Sequence, residues 1–506
     1  MSVIPIPLKN LKWWVLVATS SSLAMIFLDQ SALPIALPSI QHEWSLSSEL
    51  LQWINNAYLL TLAVLIILGG KLGDRLSHRN VFLAGMVIFI LSSILCAASP
   101  TITWLIIGRV LQGVGGSLMM PSASPLFRTV VNSEEFGKMV GLYVSIASTF
   151  LILGPMLGGF FVAYLSWRWI FWINFPVALI AISIIVFVVP LIKEYKVVEK
   201  SFDWIGFITL TLCLICLVFA LMQGQTLGWS SAVILTCFLT AIIAFAIFLQ
   251  VEKKHHSPFI DFKIFQNKTI AHGVLAMSLI QIAYMSMIFW VMFLQYTLSL
   301  SPQKTGIFLL SAQVPVLLVS GLAGRLLDKK GPRFPVTLGT LMITISSLWI
   351  TVFAWKYDLL WICPALILFG AGSPLVSIGI MSTTVSSASI EKRGVVSGII
   401  SAARQVGGSI GLAILVALET NVTSQVWQHW QEHATGALKK LPLSQLHPLM
   451  IGNSLPELTA SEWQLAHQAA IHAYTMGFSC IMLFVTFCAF ISFFISRKLP
   501  NHPLRY

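Results

Sequence analysis

Three charged residues lie within long apolar stretches of this chain: Asp29, Arg109 and Arg404. A charge at the centre of a membrane-spanning helix costs about 2.5–3.5 kcal/mol on insertion scales, so each of them indicates a function. A carboxyl group in such surroundings can exchange a proton, because loss of water favours its neutral form. A guanidinium can form a charge-assisted hydrogen bond with a carboxylate. Proton exchange and ion pairing are therefore the chemistry that these positions predict.

Asp29 lies in the run Phe27–Pro38 of the first apolar stretch. We expect this side chain to take up and release a proton as its surroundings open to either side of a membrane. The alternative is a carboxyl group that is held permanently by a hydroxyl or backbone group of a neighbouring helix. Pro34 and Pro38 each remove a backbone donor from the same segment.

Arg109 belongs to a set of residues with helical spacing. Arg109, Gln112, Gly113 and Gly116 stand at positions i, i+3, i+4 and i+7, which share one helix face. We expect the guanidinium to point into the helix bundle, where the glycines allow a partner helix to approach closely. A static ion pair is one role open to this arginine, with Asp29 as a candidate partner.

Arg404 repeats this pattern in the second half of the chain. Arg404, Gly407, Gly408 and Gly411 again stand at i, i+3, i+4 and i+7, and so share a helix face. The spacing predicts a side chain that either lines a transport pathway or braces the helix bundle, and it leaves both roles open.

A short charged element occurs twice, half of the chain apart. In both Gly70–Arg79 and Gly324–Arg333 a Gly precedes an Asp by four residues, and basic residues follow. Such a repeat indicates two halves that share one plan. We expect Asp74 to accept hydrogen bonds from a neighbouring helix end and from Arg75 or Arg79. The residues of this predicted latch are Gly70, Gly73, Asp74, Arg75, Arg79, Gly324, Asp328 and Arg333.

The amino-acid composition is that of an integral membrane protein. Only 9% of the 506 residues are charged and 57% are hydrophobic, whereas soluble chains carry about 25% charged residues. The apolar runs are long, which predicts helices rather than strands. The net charge of +12 follows from topology, because most Lys and Arg residues fall in the tails and loops that face the cytoplasm when both termini do. No nucleic-acid partner is therefore expected.

The apolar runs predict fourteen spans, each near the ~20 residues that a helix needs to cross the hydrocarbon. They divide into a six-helix bundle at 1–190, a linker with two inserted, peripheral helices at 191–268, and a second six-helix bundle at 269–506 with a long external loop at 420–469. The seven Cys residues fall inside apolar runs, and the histidines of the loop lack tight ligand spacing. No metal site is predicted.

Several of these motifs resemble a known family. The pattern of Gly70–Arg79 resembles the loop between helices 2 and 3 of the major facilitator superfamily, and the stretch around Arg109 resembles its fourth-helix motif. The stretch 398–411 resembles the thirteenth-helix pattern, and the run ending at Pro38 resembles the first-helix signature of fourteen-helix drug:proton antiporters, with Pro34 in place of the usual Asn. The fifth span resembles the fifth-helix signature of the superfamily's antiporters through Gly154, Pro155, Gly158 and Gly159. In this chain Phe150 stands where the longer form of that signature has a Gly.

The resemblance implies an all-α integral membrane protein with the major facilitator fold, made of two six-helix bundles plus two inserted helices. It also implies alternating access, with a proton bound at Asp29, Arg109 linked to proton transfer, and a kinkable fifth helix at the contact between the halves. Asp74 and Asp328 would then act as cytoplasmic latches. Residues that could face the substrate are Asn55, Asn56, Tyr58, Gln112, Gln281, Tyr284, Gln313 and Arg404.

The expected function is proton-coupled export of small, amphipathic or cationic compounds from the cytoplasm across a bacterial inner membrane. No nucleotide-binding signature is present in the sequence, so the proton gradient replaces a cofactor as the driving force. The partners are the substrate, protons and the lipid bilayer, and the external loop leaves room for a periplasmic adaptor. Two alternatives stay open: export of an endogenous metabolite such as a siderophore or lipid, and a polytopic membrane enzyme or sensor with its site in the loop 420–469.

Overall fold

The structure is a computed structural model. It describes residues 8–501, except for 45–47, 129, 132–134, 189–202, 255–261, 301, 390–391, 435–437, 440, 443–444, 451–454 and 456–457. The predicted linker between the first bundle and the inserted helices, 191–202, lies outside the described residues.

The described chain is helical, as the apolar runs predict. Its α-helices are α1 (Leu8–Trp44), α2 (Ser48–Leu76), α3 (His78–Ala97), α4 (Ile102–Arg128), α5 (Phe136–Tyr164), α6 (Trp169–Trp172), α7 (Asn174–Val188), α8 (Trp204–Leu227), α9 (Ala232–Lys254), α10 (Lys268–Met285), α11 (Met287–Tyr296), α12 (Pro302–Lys330), α13 (Arg333–Phe353), α14 (Leu359–Ser386), α15 (Arg393–His433), α16 (Leu446–Met450) and α17 (Ala460–Ser496). Short 3₁₀ turns occupy Phe262–Gln266 and Ala354–Lys356.

Fourteen segments of the described chain are long and apolar enough to cross a membrane, which confirms the predicted number. The helices α6 and α7 together form the sixth span, and α10 and α11 together form the ninth. Large apolar side chains on the outer faces of the spans remain exposed, among them Leu91, Ile242 and Leu318, because the surrounding solvent is lipid rather than water.

Polar side chains mark where several helices begin. Ser77 accepts a hydrogen bond from a backbone N–H at the start of α3, and Asn267 and Asp358 do so for α10 and α14. Thr459 and Glu462 form a reciprocal capping box at the start of α17. These caps satisfy N–H groups that have no partner within their own helix.

The two halves meet through two matched helix pairs. The first half comprises α1–α7 and the second α10–α17, and α15 packs on α2 while α12 packs on α5. A Cβ at Gly398 of α15 would lie 3.1 Å from the Cα of Ile67, and a Cβ at Gly141 of α5 would lie 2.6 Å from the carbonyl oxygen of Ser320. Glycine therefore permits close backbone contact at both pairs.

The inserted helices α8 and α9 pack against each other at one side of this interface. The helix α8 also contacts both α2 and α15, and the ring of Phe219 stacks on Trp53 at 5.8 Å between centroids. The side chains of α9 are mostly exposed. The pair therefore touches both halves at their edge.

The segment 420–469, predicted as an external loop, is helical at both ends. The helix α15 continues to His433, and α17 already begins at Ala460. The reason lies in packing: Trp427 is fully buried in the core of the second half and stacks on Trp430 at 4.9 Å between ring centroids. Burial of that aromatic face stabilises helix in a stretch whose polar residues favour a loop.

Candidate functional site

Small residues bring α4 close to two neighbouring helices. A Cβ at Gly113 would lie 2.8 Å from the carbonyl oxygen of Tyr58 in α2, and a Cβ at Gly115 would lie 2.7 Å from the backbone nitrogen of Phe89 in α3. Real Cβ atoms do not approach backbone atoms so closely, so only glycine fits at these two positions. The helix α4 is thereby held between α2 and α3, and this arrangement fixes the position of Arg109.

Asp29 and Arg109 form a fully buried ion pair. Nη1 of Arg109 lies 2.5 Å from Oδ2 of Asp29, and neither side chain is exposed to solvent. Nε of Arg109 donates to the carbonyl oxygen of Ile54 at 2.9 Å, and Nη1 also donates to Oε1 of Gln112 at 2.8 Å. The ring of Tyr58 lies 4.3 Å from the guanidinium carbon, which adds a cation–π contact.

The polar network extends into α3 and α7. Nε2 of Gln112 donates to Oγ of Ser93 at 2.8 Å, and Nδ2 of Asn174 donates to the same oxygen at 3.3 Å. These three side chains are buried. Sequence reasoning did not single out Ser93 or Asn174. The available signal was a polar residue at each position in an otherwise apolar span, but such residues are more often bonded within their own helix.

Two atoms of the ion pair are left without a partner. Oδ1 of Asp29 and Nη2 of Arg109 are buried and make no hydrogen bond to any described residue. If Asp29 were protonated, Arg109 would keep the carbonyl of Ile54, the amide of Gln112 and the ring of Tyr58. The site can therefore accept a proton on the carboxylate while the guanidinium stays solvated by the protein.

The ion pair lies off-centre along its spans. With a rise of about 1.5 Å per residue, Asp29 lies about 27 Å from Leu11 and about 12 Å from Leu37, the two ends of the first span. Arg109 lies about 10 Å from Ile102, where α4 begins. Both residues are thus nearer to the end of the bundle that carries Trp167, hereafter the Trp167 end, than to the end that carries Asp74, hereafter the Asp74 end.

At the Asp74 end, two aspartates join the halves in a matched way. Oδ2 of Asp74 accepts a hydrogen bond from the backbone nitrogen of Val395 at 2.7 Å, near the start of α15. Oδ2 of Asp328 accepts one from the backbone nitrogen of Lys138 at 3.0 Å, near the start of α5. Each carboxylate therefore reaches across the interface to the third residue of a helix in the other half, where free N–H groups and the helix dipole favour a negative charge. The predicted hydrogen bond from a neighbouring helix end to Asp74 is present.

The basic residues of the repeated element contact Asp74 and the backbone carbonyl groups of neighbouring segments. Nε2 of His78 lies 3.2 Å from Oδ1 of Asp74, and Arg79 donates to the carbonyl oxygen of Ile185 at the end of α7, with 3.4 Å between Nε and that oxygen. Nε of Arg333 donates to the carbonyl oxygen of Leu499 at 2.9 Å. Gly70, Gly73 and Gly324 are buried. Gly73 lies against His78, and Arg75 is half-buried at the end of α2.

The glycines of the fifth-helix signature face α1 within the same half. A Cβ at Gly154 would overlap the side chain of Ser31, and a Cβ at Gly158 would lie 2.8 Å from the carbonyl oxygen of Ala32. Gly159 has open space around it, and Pro155 lies within the continuous helix α5. The glycine that faces the other half is instead Gly141, further along α5.

Arg404 lies at the interface between the halves. Its side chain is half-buried, and Nη2 lies 3.8 Å from Sδ of Met120 in α4. Tyr143 of α5 and Tyr284 of α10 interact with its charge. The hydroxyl of Tyr284 donates to the carbonyl oxygen of Ser373 at 2.9 Å. Arg404 therefore faces residues of both halves.

The remaining candidate side chains divide between the two sites. Tyr58 and Gln112 belong to the ion-pair network, whereas Gln281 packs beside Gly408 near Arg404. The side-chain oxygens of Asn55 and Gln281 are buried without a partner among the described residues. Asn56 and Gln313 are half-buried in α2 and α12.

Away from these sites, three exposed side chains converge near the end of α15. The ligand atoms of His429, Glu432 and His433 lie within 4.8 Å of one another. Helical spacing of i, i+3 and i+4 brings them together, a proximity that becomes visible only when the helix is known to continue past residue 420.

Comparison with known proteins agrees with the architecture. Residues 19–210 and 202–412 match the model of the Major Facilitator Superfamily. The chain is 32% identical over 432 residues to the tetracenomycin C resistance and export protein of Streptomyces glaucescens, and this alignment covers 84% of this chain and 79% of that protein. It is 30% identical over 404 residues to multidrug resistance protein Stp of Mycobacterium tuberculosis, in an alignment that covers 79% of this chain and 74% of that protein. The crystal structure of the human organic anion transporter MFSD10 shares the fold, with a TM-score of 0.63 at 14% identity over 97% of this chain and 100% of that chain.

Proposed function

The chain belongs to the Major Facilitator Superfamily of membrane transporters, and we propose that it exports small amphipathic compounds in exchange for protons. Relatives at 30–32% identity are named for tetracenomycin C resistance and export and for multidrug resistance, which supports the direction of transport. Families of this architecture bind their substrate between the halves and expose it alternately to each side.

The buried pair of Asp29 and Arg109 is the observation that carries the proposal. An ion pair without solvent contact in a membrane span is costly and is kept where ions or protons move. One oxygen of Asp29 has no hydrogen-bond partner among the described residues, so a proton has an acceptor without prior loss of the bond to Arg109. Proton uptake removes the negative charge and weakens the link between α1 and α4. This change in helix packing is the step that couples proton binding to movement.

The described contacts favour a conformation that is open at the Trp167 end. At the Asp74 end the halves are joined by the bonds of Asp74 and Asp328. At the Trp167 end, side chains pair within their own half: Nη2 of Arg168 lies 2.9 Å from Oε1 of Glu43 in the first half. In the second half, Tyr296 contacts Tyr474 edge to face. With both termini in the cytoplasm, this conformation faces outward.

Transport then requires that the two aspartate latches open. Each latch is a hydrogen bond between a carboxylate and the start of a helix, so it can break and re-form without any change within the helices. The close contacts at Gly398 and Gly141 lie near the two latches, so they part together with the latches when the Asp74 end opens. Proton binding from outside and release inside would reset the cycle in the direction of export.

The Asp29→Asn substitution tests proton coupling. Inside-out membrane vesicles with an acid interior would be supplied with rhodamine 6G or sulforhodamine B, two xanthene dyes of opposite charge, and accumulation followed by fluorescence. The wild-type protein should accumulate at least one dye against its gradient. Because Asn resembles neutral Asp29 but cannot release a proton, the variant should lose accumulation driven by the pH gradient while dye exchange continues.

Glu43→Gln serves as the matched control, because Glu43 is an acid outside the first span and its side chain is 37% exposed. It should transport like the wild type. Gradient-driven accumulation by Asp29→Asn at the wild-type rate would refute the role of Asp29, whichever dye is used.

A further inference from the structure

Arg404 lacks the counter-charge that Arg109 has. Arg109 is paired with Asp29 and is wholly buried. Arg404 is half-buried, and no described carboxylate forms an ion pair with it. Its described polar contact is the thioether of Met120, and its electrostatic neighbours are two tyrosines. The interface therefore carries a guanidinium charge that the surrounding described side chains do not neutralise.

A partly desolvated guanidinium without an anion is unfavourable. Loss of water removes its hydration, and a carboxylate, sulfonate, phosphate or phenolate replaces that hydration with hydrogen bonds in which both partners are charged. The planar guanidinium also binds such groups through two parallel N–H bonds, which a lysine cannot do. Since no described carboxylate pairs with Arg404, the position suits an anion that binds and dissociates.

The neighbouring side chains complete a site for such a group. Gln281 and Tyr284 lie three residues apart on α10, so they share a face, and Gln281 packs beside Gly408, one turn beyond Arg404 on α15. Oε1 of Gln281 is buried and has no partner in the described part of the chain, so its amide is free to turn and present its N–H₂ group. Met120 contacts the guanidinium, and Tyr143 and Tyr284 pack against the buried apolar clusters of the two halves, so apolar surface lies near these polar groups. An acidic group attached to an apolar body fits this combination.

We propose that Arg404 binds an acidic group of the transported compound, so that the substrate of this transporter is an amphipathic anion. The proposal rests on the proposed export function and names its substrate class. It differs from the sequence-based expectation of cationic compounds. The physical reason is that the carboxylate of Asp29 is already neutralised by Arg109 and so does not attract a cation, whereas Arg404 is not neutralised by a described carboxylate.

The charge of the dye and of residue 404 can be varied independently. Purified full-length protein would be titrated with sulforhodamine B, carboxyfluorescein and rhodamine 6G, with binding measured by fluorescence anisotropy. Arg404→Gln should weaken binding of the two anionic dyes about 10- to 100-fold, the usual worth of a hydrogen-bonded charge, and leave or strengthen binding of rhodamine 6G. Arg404→Lys should keep part of the affinity because it keeps the charge.

Arg497→Gln is the matched control, because it removes an exposed arginine just beyond α17 and should not change the binding of any dye. If Arg404→Gln does not fold, the salt dependence of dye binding to the wild-type protein tests the inference instead. Raising the salt concentration should weaken the anionic dyes and spare rhodamine 6G. The inference is overturned if the wild type binds neither anionic dye, if Arg404→Gln leaves their affinity unchanged, or if it weakens all three dyes equally.

A transport measurement separates failure of this inference from failure of the proposed function. Exchange of one proton for a monoanion moves net charge, whereas exchange of one proton for a monocation does not. A membrane potential imposed with valinomycin should therefore accelerate export of sulforhodamine B. Gradient-driven transport of rhodamine 6G alone, lost in Asp29→Asn and insensitive to Arg404→Gln, would overturn the anion inference and support the proton-coupled exporter. Arg404-dependent binding of anionic dyes without any gradient-driven transport would support the anion inference and overturn the proton-coupled exporter.

Discussion

The aspartate latch at the Asp74 end can be weakened in a graded way. Asp74→Ala removes the acceptor that binds the backbone nitrogen of Val395 at 2.7 Å. The side chain of Asp74 is only 7% exposed, so the bond is little screened by solvent. A hydrogen bond to a charged group contributes about 1.5–3 kcal/mol, and the start of α15 adds about 0.3–1 kcal/mol through its dipole. We therefore expect Asp74→Ala to cost about 2–4 kcal/mol.

That cost falls on one conformation only. The bond to Val395 exists while the halves are joined at the Asp74 end, so its loss shifts the equilibrium toward the conformation that is open there. A difference of 1.4 kcal/mol is a factor of about ten, so the ratio of the two conformations should change by about 30- to 700-fold. Asp74→Asn keeps an acceptor oxygen and should shift the ratio less, because Asn also caps helices well.

Spin labels on α2 and α15 at the Asp74 end would measure this ratio as distance distributions in pulsed electron paramagnetic resonance. The seven native cysteines would first be replaced. Asp328→Ala should act in the same direction but more weakly, because Asp328 is less buried and its bond to Lys138 is longer at 3.0 Å. If Asp74→Ala leaves the distance distribution of the wild type unchanged, the carboxylate does not hold the two halves together, and the latch reasoning is wrong.

Two further predictions concern packing and pH. Gly113→Ala should lower the stability of the folded protein by about 1–3 kcal/mol, because a Cβ there would lie 2.8 Å from the carbonyl oxygen of Tyr58. Gly159→Ala should be neutral, because Gly159 has open space around it. A Gly113→Ala protein with the wild-type thermal midpoint would contradict the close helix contact. The hydrogen bond from Arg168 holds the pKa of Glu43 below its usual value, so the stability from this pair should be present near neutral pH and lost only as pH falls through that lowered pKa. The thermal midpoints of wild type and Glu43→Gln should therefore differ by a small amount near pH 7, since the pair is partly exposed, and converge in acid; a difference that grows on acidification would refute the assignment.

The sequence predicted the spans because the cost of burying polar groups in hydrocarbon depends on local composition. The run of apolar residues in each span identified a helix without knowledge of its neighbours, and fourteen spans are present in the described chain. The same reasoning singled out Asp29 and Arg109, since a charge in such a run is unusual wherever the helix packs. The helical spacing of Arg109 with Gln112, Gly113 and Gly116 further predicted that Arg109 points into the bundle, and the guanidinium is fully buried there.

The partners of these residues could not be predicted in the same way. Gln112 bonds to Ser93 on α3, and Asn174 reaches the same oxygen from α7, a contact between residues 81 positions apart in the chain. Such a contact depends on which faces of the helices meet, and that depends on the close approach allowed at Gly113 and Gly115. Ser93 also donates to the carbonyl oxygen of Phe89 at 2.8 Å, the bond within its own helix that a Ser in a span ordinarily makes, so the sequence does not reveal its other partners.

The end of α15 shows how packing can override local composition. The residues beyond 420 are polar enough to indicate a loop, yet helix continues to His433 because Trp427 is buried in the core of the second half. The same cause brings His429 close to His433 on one exposed face. Local polarity was visible in the sequence, whereas the apolar pocket for one aromatic ring was not.

By itself the sequence determined that this protein is a helical membrane protein of two related halves with a carboxyl group and two arginines inside its spans. Only the tertiary structure decided that Arg109 neutralises Asp29, that Asp74 and Asp328 each hold a helix of the opposite half, and that Arg404 has no described carboxylate beside it. The physical reason is that burial costs are local to a segment, whereas a charge finds its partner through helices that are distant in the chain and adjacent in space.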